Sequence, residues 1–301
     1  MRTILAVAAR VAVALLLALP VADAVAAPLR VVATTTILGD VTRAVAGPDA
    51  TVVTLMPPGA DPHQFAPSAR QAAELRRADL VVANGSGLES GLASVLSSAR
   101  DDGARIVEVA PAAAPRRAPG GAVDPHFWTD PRRMELGVRA IASALVERLP
   151  ADPAAAVARR SRAYRARLIA EDAAIVRRLR SIPRARRVLV TNHHVLGYFA
   201  HRYRFRVVGA IIPSTSTLAT ASAADLAELT AVIRRHRVPA IFVDSSSPRA
   251  LADSLAREAG VHVRVVTLWS ESLGPRGSGA DTYLRMLRVN AARIAAALRP
   301  G

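Results

Sequence analysis

The chain has 301 residues, of which 51% are hydrophobic and only 4% aromatic, so it can bury a sizeable core of Ala, Val, Leu and Ile. Its formal net charge is +16, and all 40 basic residues are arginine. The arginines are scattered among acidic residues along helical stretches without aromatic stacking platforms, which argues against nucleic-acid binding. The sequence contains no cysteine, which excludes disulfides, thiolate ligands and nucleophilic catalysis through cysteine.

The first 26 residues have the pattern of a secretory signal peptide. Arg2 and Arg10 precede an apolar run from Val11 to Leu19, and small residues at alternating positions follow. The apolar run is roughly half as long as the ~20 residues that a membrane span needs. Because no cysteine is available for lipid attachment, we expect a freely soluble exported protein in the periplasm.

Residues 27–132 show short apolar runs alternating with amphipathic stretches. The runs predict strands at 31–33, 51–57, 79–85 and 105–111. The stretches between them predict helices at 37–46, 68–78 and 87–100, with Ser68 as an N-cap. Strands that alternate with helices are typical of βαβ units, so this segment is predicted to form an α/β lobe with a mostly parallel sheet.

The pattern becomes helical over residues 133–183 and then returns to strand–helix alternation over 184–301. Helical periodicity at 131–149 and 153–179 predicts a connector between two lobes. Strands are predicted at 187–192, 205–211, 240–246 and 263–269, and helices at 194–203, 222–236, 248–259 and 282–298. The predicted architecture is therefore α/β, with two lobes of mostly parallel sheet flanked by helices and joined by a long helix.

Three of the seven histidines lie where a strand or loop gives way to a following element. His63 is in PPGADPHQF, His126 is in VDPHFWTDP, and His193 directly follows the strand RVLVTN. Ligands of open α/β proteins bind at the carboxyl ends of strands, so these three side chains can converge in the fold. His201, His236 and His262 lack this context and are interpreted as surface residues.

A divalent metal bound by histidines commonly takes a carboxylate as well. Glu271, just past the strand VRVVTLW, is the candidate. Asp61 and Asp124 compete for this role, but the Asp-Pro-His context favours turn capping or the orientation of an imidazole. The alternative for Glu271 is an exposed loop acid or a helix cap.

The chain resembles the solute-binding proteins of zinc and manganese ABC transporters. The resemblance is carried, in the family's order, by LMPPGADPHQFAPSARQAAELRRADLVVANGSGLE, DPHFWTDP, TNHHVLGYFA, GAIIPSTST, LWSESLG and TYLRMLRVN. It covers nearly all of the chain after the signal peptide. It implies two lobes joined by a rigid helix, with one metal site between them.

Carried over residue by residue, the resemblance implies a metal site formed by His63, His126, His193 and Glu271. Glu271 stands where the family usually has aspartate, which is a departure from the pattern. His193 matches the ligand position, while the neighbouring His194 matches a variable one. The region PAAAPRRAPGGAVDPH also lacks the His- and Asp-rich loop that zinc members often carry.

Three imidazoles and one carboxylate suit Zn²⁺, which prefers four ligands in a tetrahedron, and Mn²⁺ is the second choice.

The resemblance implies an ABC permease and a periplasmic metallochaperone as partners, and we expect a monomer that does not bind nucleic acid. Since protons compete with metal for imidazole, we expect affinity to fall as the pH drops toward ~6.5.

Two other functions fit the same residues. A zinc hydrolase could use the three histidines with Glu271 as a general base and water as the fourth ligand. No known catalytic motif accompanies them, so we expect no enzymatic activity. Surface adhesion, a role attributed to some members of the family, would be compatible with metal binding.

Overall fold

The computed structural model describes residues 28–300, so the predicted signal peptide at 1–26 lies outside the described residues. Within the described part, the chain forms two four-stranded parallel sheets flanked by helices. The predicted α/β class with two lobes is confirmed. Among residues 28–300, no helix combines the length and apolar character needed to cross a membrane.

The first lobe is built on a sheet with the strand order β2-β1-β3-β4. Its strands are β1 (Leu29–Ala33), β2 (Ala50–Thr54), β3 (Leu80–Ala83) and β4 (Arg105–Glu108). Its helices are α1 (Thr36–Ala46), α2 (Ala69–Arg76), α3 (Ala93–Asp101) and α4 (Val109–Ala112). A two-stranded antiparallel ribbon follows, made of β5 (Arg116–Arg117) and β6 (Val123–Asp124).

The second lobe is built on a sheet with the strand order β10-β9-β7-β8. Its strands are β7 (Val188–Thr191), β8 (Arg206–Ala210), β9 (Ala240–Asp244) and β10 (Arg264–Leu268). Its helices are α7 (Gly197–Tyr203), α8 (Ala223–His236), α9 (Ala250–Glu258) and α10 (Tyr283–Leu298). Short 3₁₀ turns occupy Gly47–Asp49, Ser90–Leu92, Phe127–Thr129 and Arg184–Arg186.

Helix starts follow the capping rules. The predicted N-cap Ser68 forms a reciprocal capping box with Gln71, and Ser222 forms one with Asp225 at the start of α8. The helix predicted at 87–100 begins later, at Ala93. Positive φ angles at Gly85, Ser86 and Gly87 are incompatible with a right-handed helix, so this segment forms a turn instead.

Two helices connect the lobes, α5 (Pro131–Val146) and α6 (Ala151–Leu179). Helix α6 has 29 residues, so it is about 43 Å long. It packs against α1 of the first lobe and α10 of the second. Arg160 bonds the Val45 carbonyl at 2.9 Å, and Glu171 pairs with Arg288 at 2.6 Å. The long helix is thus attached to both lobes. The predicted domain boundaries between residues 132 and 133 and between residues 183 and 184 stay predictions.

One apolar core runs through both lobes rather than stopping at the gap between them. It includes Val31 and Phe127 from the first part of the chain and Tyr198, Phe242 and Ile294 from the last. Buried packing of this kind resists large relative motions because interiors are close-packed. The arrangement therefore favours small movements of loops at the interlobe gap over wide opening.

Candidate metal centre

His63 lies in the loop after β2, where prolines and glycine direct the chain back toward the second lobe. Its side chain is buried, and its amide donates to Asp61 Oδ1 at 2.9 Å. The Ser90 hydroxyl donates to the His63 carbonyl at 3.1 Å. The backbone on both sides of the ring is thereby fixed, with Asp61 in the turn-capping role predicted for it.

His126 follows β6 and is completely buried. Asp124 Oδ1 accepts from the His126 amide at 3.0 Å and lies 2.7 Å from the ring nitrogen Nδ1. A carboxylate at Nδ1 holds the proton there and leaves Nε2 with a free lone pair. Asp124 therefore both caps the turn and orients the imidazole, as its sequence context predicted.

His193 occupies a bend after β7, not the first turn of a helix. Helix α7 begins at Gly197, so the prediction of a helix from 194 was wrong at its start. The Thr191 hydroxyl bonds the His193 carbonyl at 2.5 Å, and the Val195 amide bonds the same carbonyl at 2.8 Å. These local bonds compete with helix formation and aim the buried His193 ring toward the first lobe.

Glu271 follows β10 and is 2% exposed. Its amide donates to Asp244 Oδ2 at 2.9 Å. The interpretation of Glu271 as an exposed loop acid is therefore wrong. Asp244, at the carboxyl end of β9, was missed by the sequence analysis. Its position at the end of a buried strand, AIFVD, was the available signal.

The structure brings all four predicted ligands together. One candidate ligand atom from each of His63, His126, His193 and Glu271 lies within 4.8 Å of every other. The Nε2 of His126 is 3.3 Å from the Nε2 of both His63 and His193. Glu271 Oε1 is 3.1 Å from His193 Nε2 and 3.5 Å from His126 Nε2, and Oε2 is 4.0 Å from His63 Nε2.

The distances between the candidate ligand atoms match those around a small metal ion with tetrahedral coordination. With ligands at ~2.0–2.1 Å from zinc, the corners of a regular tetrahedron lie about 3.3 Å apart. Four of the five measured separations, those other than the 4.0 Å distance to His63, fall between 3.1 and 3.5 Å. The donor set can therefore surround one divalent cation with little rearrangement.

The pKa shifts in the cluster keep imidazole nitrogens available to bind a cation. Both oxygens of Glu271 are buried and make no hydrogen bond within residues 28–300. Burial raises the pKa of Glu271 well above its usual range, and Asp244 raises it further. Burial together with the neighbouring His126 and His193 rings lowers the pKa of His63 to about 2, and burial lowers that of His193 to about 4. At neutral pH, both of these imidazoles are neutral and able to bind metal.

The remaining histidines lie apart from the cluster. His194 is half-buried and lines a separate hollow with Asp225 and Glu228, while its amide bonds the Ser214 carbonyl at 2.8 Å. His201 and His262 are exposed and His236 is half-buried, as predicted for surface residues. Only one member of the adjacent pair His193 and His194 therefore faces the other ligands.

Hydrogen bonds across the gap hold the two lobes together around the cluster. The Ser272 hydroxyl lies 3.0 Å from Thr36 Oγ1 and accepts from the Gly59 amide at 2.9 Å. On the other side, the Thr217 hydroxyl donates to Asp61 Oδ2 at 2.6 Å. No sequence motif predicts these contacts, because each joins residues that only the fold brings together.

Two parallel-sheet lobes with a cluster of three imidazoles and a carboxylate between them, the one such cluster found in residues 28–300, define a class, the two-lobed metal-binding proteins. The chain belongs to the family described as zinc-uptake complex component A, periplasmic, whose model matches residues 31–297. The resemblance noted in the sequence is confirmed.

Individual relatives carry the names of different metals. The zinc-binding protein TroA of Treponema pallidum is 35% identical over 276 residues, covering 89% of this chain and 88% of the relative. The manganese-binding lipoprotein MntA of Halalkalibacterium halodurans is 28% identical over 264 residues, covering 87% and 86%. The solved structure of the periplasmic zinc-binding protein TroA from Treponema pallidum matches with a TM-score of 0.85 and 33% identity, over 91% of this chain and all of that one.

Proposed function

We propose that the protein captures Zn²⁺ between its two lobes and delivers it to the permease of an ABC transporter. The observation that carries this proposal is the Glu271 carboxylate, whose two buried oxygens face the imidazoles of His63, His126 and His193 without a hydrogen-bond partner in the described structure. Burying a carboxylate in this way is costly unless a cation compensates it. A divalent ion bound by all four side chains removes that cost.

The choice of zinc rests on the donor set and its spacing. Three nitrogen donors and one oxygen donor at tetrahedral separations suit Zn²⁺, whereas Mn²⁺ favours more oxygen ligands in octahedral geometry. The zinc-binding name of the relative that is 35% identical agrees with this choice. Mn²⁺ is the second candidate, since a relative of 28% identity is named for it and Glu271 has a second oxygen facing the site.

The same geometry supports binding rather than catalysis. A catalytic zinc ion keeps one coordination position open for water or substrate, whereas four protein ligands fill the tetrahedron here. All four ligand side chains are at most 2% exposed, so a substrate has no approach to the ion. We therefore assign no hydrolytic role to Glu271.

The family description supports a periplasmic location for the chain. We propose that the permease of the same transport system is the partner that receives the metal and that a periplasmic metallochaperone can load the site. Hydrogen bonds of Ser272 and Thr217 join the lobes beside the site, and we propose that they break when the protein docks on the permease and releases the ion. We propose that the chain acts as a monomer in this cycle.

Metal analysis of the purified protein tests the proposal. The mature chain and a His63→Ala variant are produced in medium containing equal zinc and manganese, and bound metal is measured after gel filtration. We expect one zinc per chain in the parent protein and little in the variant, with a His201→Ala variant as the control for a histidine outside the cluster. One manganese per chain would replace zinc by manganese in the proposal, and the absence of retained metal would refute it.

A further inference from the structure

The peptide group between Ser270 and Glu271 is held at both ends. Its carbonyl accepts from Trp128 Nε1 at 2.7 Å, and its N–H donates to Asp244 Oδ2 at 2.9 Å. Trp128 lies two residues after the ligand His126, while Asp244 belongs to the second lobe. The orientation of this one peptide plane determines where the Glu271 side chain leaves the backbone.

Asp244 is the central acceptor of this arrangement. It is 1% exposed and lies at the carboxyl end of β9, directly beside Leu268 at the end of β10. Its Oδ2 accepts from the Ser270 amide and hydroxyl, both at 2.7 Å, besides the Glu271 amide. Its Oδ1 accepts from the Ser246 amide at 2.7 Å and from the Ser246 hydroxyl at 2.5 Å.

Five donors therefore converge on one buried carboxylate, and three of them belong to the segment that carries Glu271. Hydrogen bonds to an ionised acceptor are roughly twice as strong as neutral ones. In this protein, hydrogen bonds to Asp244 fix the backbone at Ser270, directly before the ligand, and at Glu271 itself.

Building on the proposed metal site, we infer that Asp244 is a positioning residue that holds Glu271 where it supplies one oxygen to a tetrahedral ion, and thereby favours zinc over manganese. It does not touch the metal itself. Manganese takes more ligands than zinc and favours oxygen. A carboxylate free to turn can offer both oxygens and admit water, which is what manganese needs. A glutamate whose backbone is fixed has less freedom to turn its carboxylate, and it is therefore better suited to four-coordinate zinc.

The Asp244→Asn variant tests this role because the amide cannot reproduce the hydrogen bonds. Both oxygens of Asp244 face N–H or O–H donors, so the NH₂ group of asparagine meets donors whichever way it turns. Loss of a partner that orients a metal ligand commonly costs ~10–100-fold in affinity. We expect zinc affinity to fall by about that much and manganese affinity by much less.

Two milder variants provide a matched pair. Ser270→Ala removes one bond to the oxygen that holds the Glu271 segment, and Ser246→Ala removes one bond to the other oxygen. We expect Ser270→Ala to lower the ratio of zinc to manganese affinity about two- to tenfold, since one hydrogen bond is at stake. Ser246→Ala loosens Asp244 only at the oxygen that does not contact the Glu271 segment, so we expect a smaller change in the ratio. This pair decides the question even if Asp244→Asn fails to fold.

The measurements are competition titrations with Zn²⁺ and Mn²⁺ and the visible spectrum of the Co²⁺-loaded proteins, on chains whose folding is verified by circular dichroism. The expected result is a reduced zinc preference and weaker tetrahedral Co²⁺ absorption in Asp244→Asn and Ser270→Ala. Equal losses for both metals with an unchanged spectrum, or equal behaviour of the two serine variants, would overturn the role of Asp244. A parent protein that binds no metal stoichiometrically would instead refute the proposed function.

Discussion

Glu271 Oε1 lies 3.1 Å from His193 Nε2, although the two side chains follow strands β10 and β7, which are separated by β9 in the sheet. Strands two positions apart have backbones roughly 9–10 Å from each other. Two long side chains are needed to close that distance. The glutamate at this position, a departure from the usual aspartate of the family, is therefore suited to the span it has to cover.

Shortening Glu271 should consequently weaken metal binding. Glu271→Asp keeps the charge but withdraws the carboxylate by about one carbon–carbon bond, which exceeds the ~0.2 Å tolerance of metal–ligand distances. We expect a loss of about tenfold in zinc affinity, while Glu271→Gln, which removes the charge, should cost about 100-fold or more. Competition against a fluorescent zinc chelator measures both. Equal affinity of Glu271→Asp and the parent would show that the extra methylene is not needed, and equal affinity of Glu271→Gln and the parent would show that Glu271 is not a ligand.

The adjacent histidines offer a test in which the two variants differ by a single position. His193→Ala removes an imidazole that lies 3.3 Å from His126 Nε2, whereas His194 lines a separate hollow. We expect His193→Ala to reduce zinc affinity at least about 100-fold and His194→Ala to change it less than about threefold. Isothermal titration of both with zinc provides the comparison. A larger loss in His194→Ala than in His193→Ala would reverse the assignment.

The sequence predicts the strands, the long helix and the four clustered side chains, because periodicity and strand ends are local signals. It misplaces the chain around His193, since the hydrogen bonds of Thr191 that hold the bend depend on a backbone shape that no short motif specifies. It also misses Asp244 and Ser272. Their roles arise from contacts between distant segments, which one sequence does not reveal.

Metal binding should displace a proton from Glu271. Because burial raises the pKa of this carboxyl well above its usual range, it retains its proton to higher pH than an exposed glutamate, and that proton leaves when the ion enters. The imidazoles of His63 and His193 contribute only in acid, since their pKa values are lowered to about 2 and about 4. Protons therefore compete with metal for these two imidazoles only at lower pH, and the expectation that affinity falls as the pH drops toward ~6.5 stays a prediction for the site as a whole.

Titration of the parent protein with zinc at pH 7 in buffers of different ionisation enthalpy counts the protons released. We expect the parent to release more protons per zinc than Glu271→Gln does at zinc concentrations high enough to load the variant. The same proton count in both proteins would mean that another group carries the proton.

Glu271 and the two imidazoles should act in opposite directions on the stability of the metal-free protein. Because burial raises the folded-state pKa of Glu271, its contribution to stability is present below its unfolded pKa and is lost as the pH rises through the raised value. The imidazoles of His63 and His193 take up protons near pH ~6.5 in the unfolded state but only at about 2 and about 4 in the folded state, so their contribution is lost as the pH drops below that range. Each net proton changes stability by about 1.4 kcal/mol per pH unit.

Glu271→Gln should remove the alkaline part of this dependence. Urea unfolding of the chelator-treated parent and variant at pH 6.5 and 8.5 gives the comparison. We expect the variant to exceed the parent in stability at pH 8.5 by more than it does at pH 6.5. A constant difference between the two proteins at both pH values would contradict the assignment of the proton to Glu271.

The interlobe bond between Thr217 and Asp61 should control the rate of metal release. Thr217→Val removes the donor of the 2.6 Å bond while preserving the shape of the side chain. The same hydroxyl also accepts from Gln64 Nε2 at 3.2 Å, so two interlobe hydrogen bonds are lost. We expect zinc to dissociate at least about two- to tenfold faster with little change in the association rate. Stopped-flow transfer to a chelator measures the rate. Thr220→Val, at an exposed position in the same loop, is the control. Equal dissociation rates in the parent and both variants would show that the contact between Thr217 and Asp61 does not slow metal release.

Zinc K-edge X-ray absorption on the zinc-loaded protein tests the central claim most directly. Three imidazoles and one carboxylate around the ion should give four nitrogen or oxygen scatterers at ~2.0–2.1 Å, with the outer-shell pattern of histidine rings. In His193→Ala that pattern should weaken and the first shell should change. A first shell of six light atoms without imidazole scattering, unaltered in the variant, would show that zinc binds elsewhere on the protein and that the buried cluster is not the metal site.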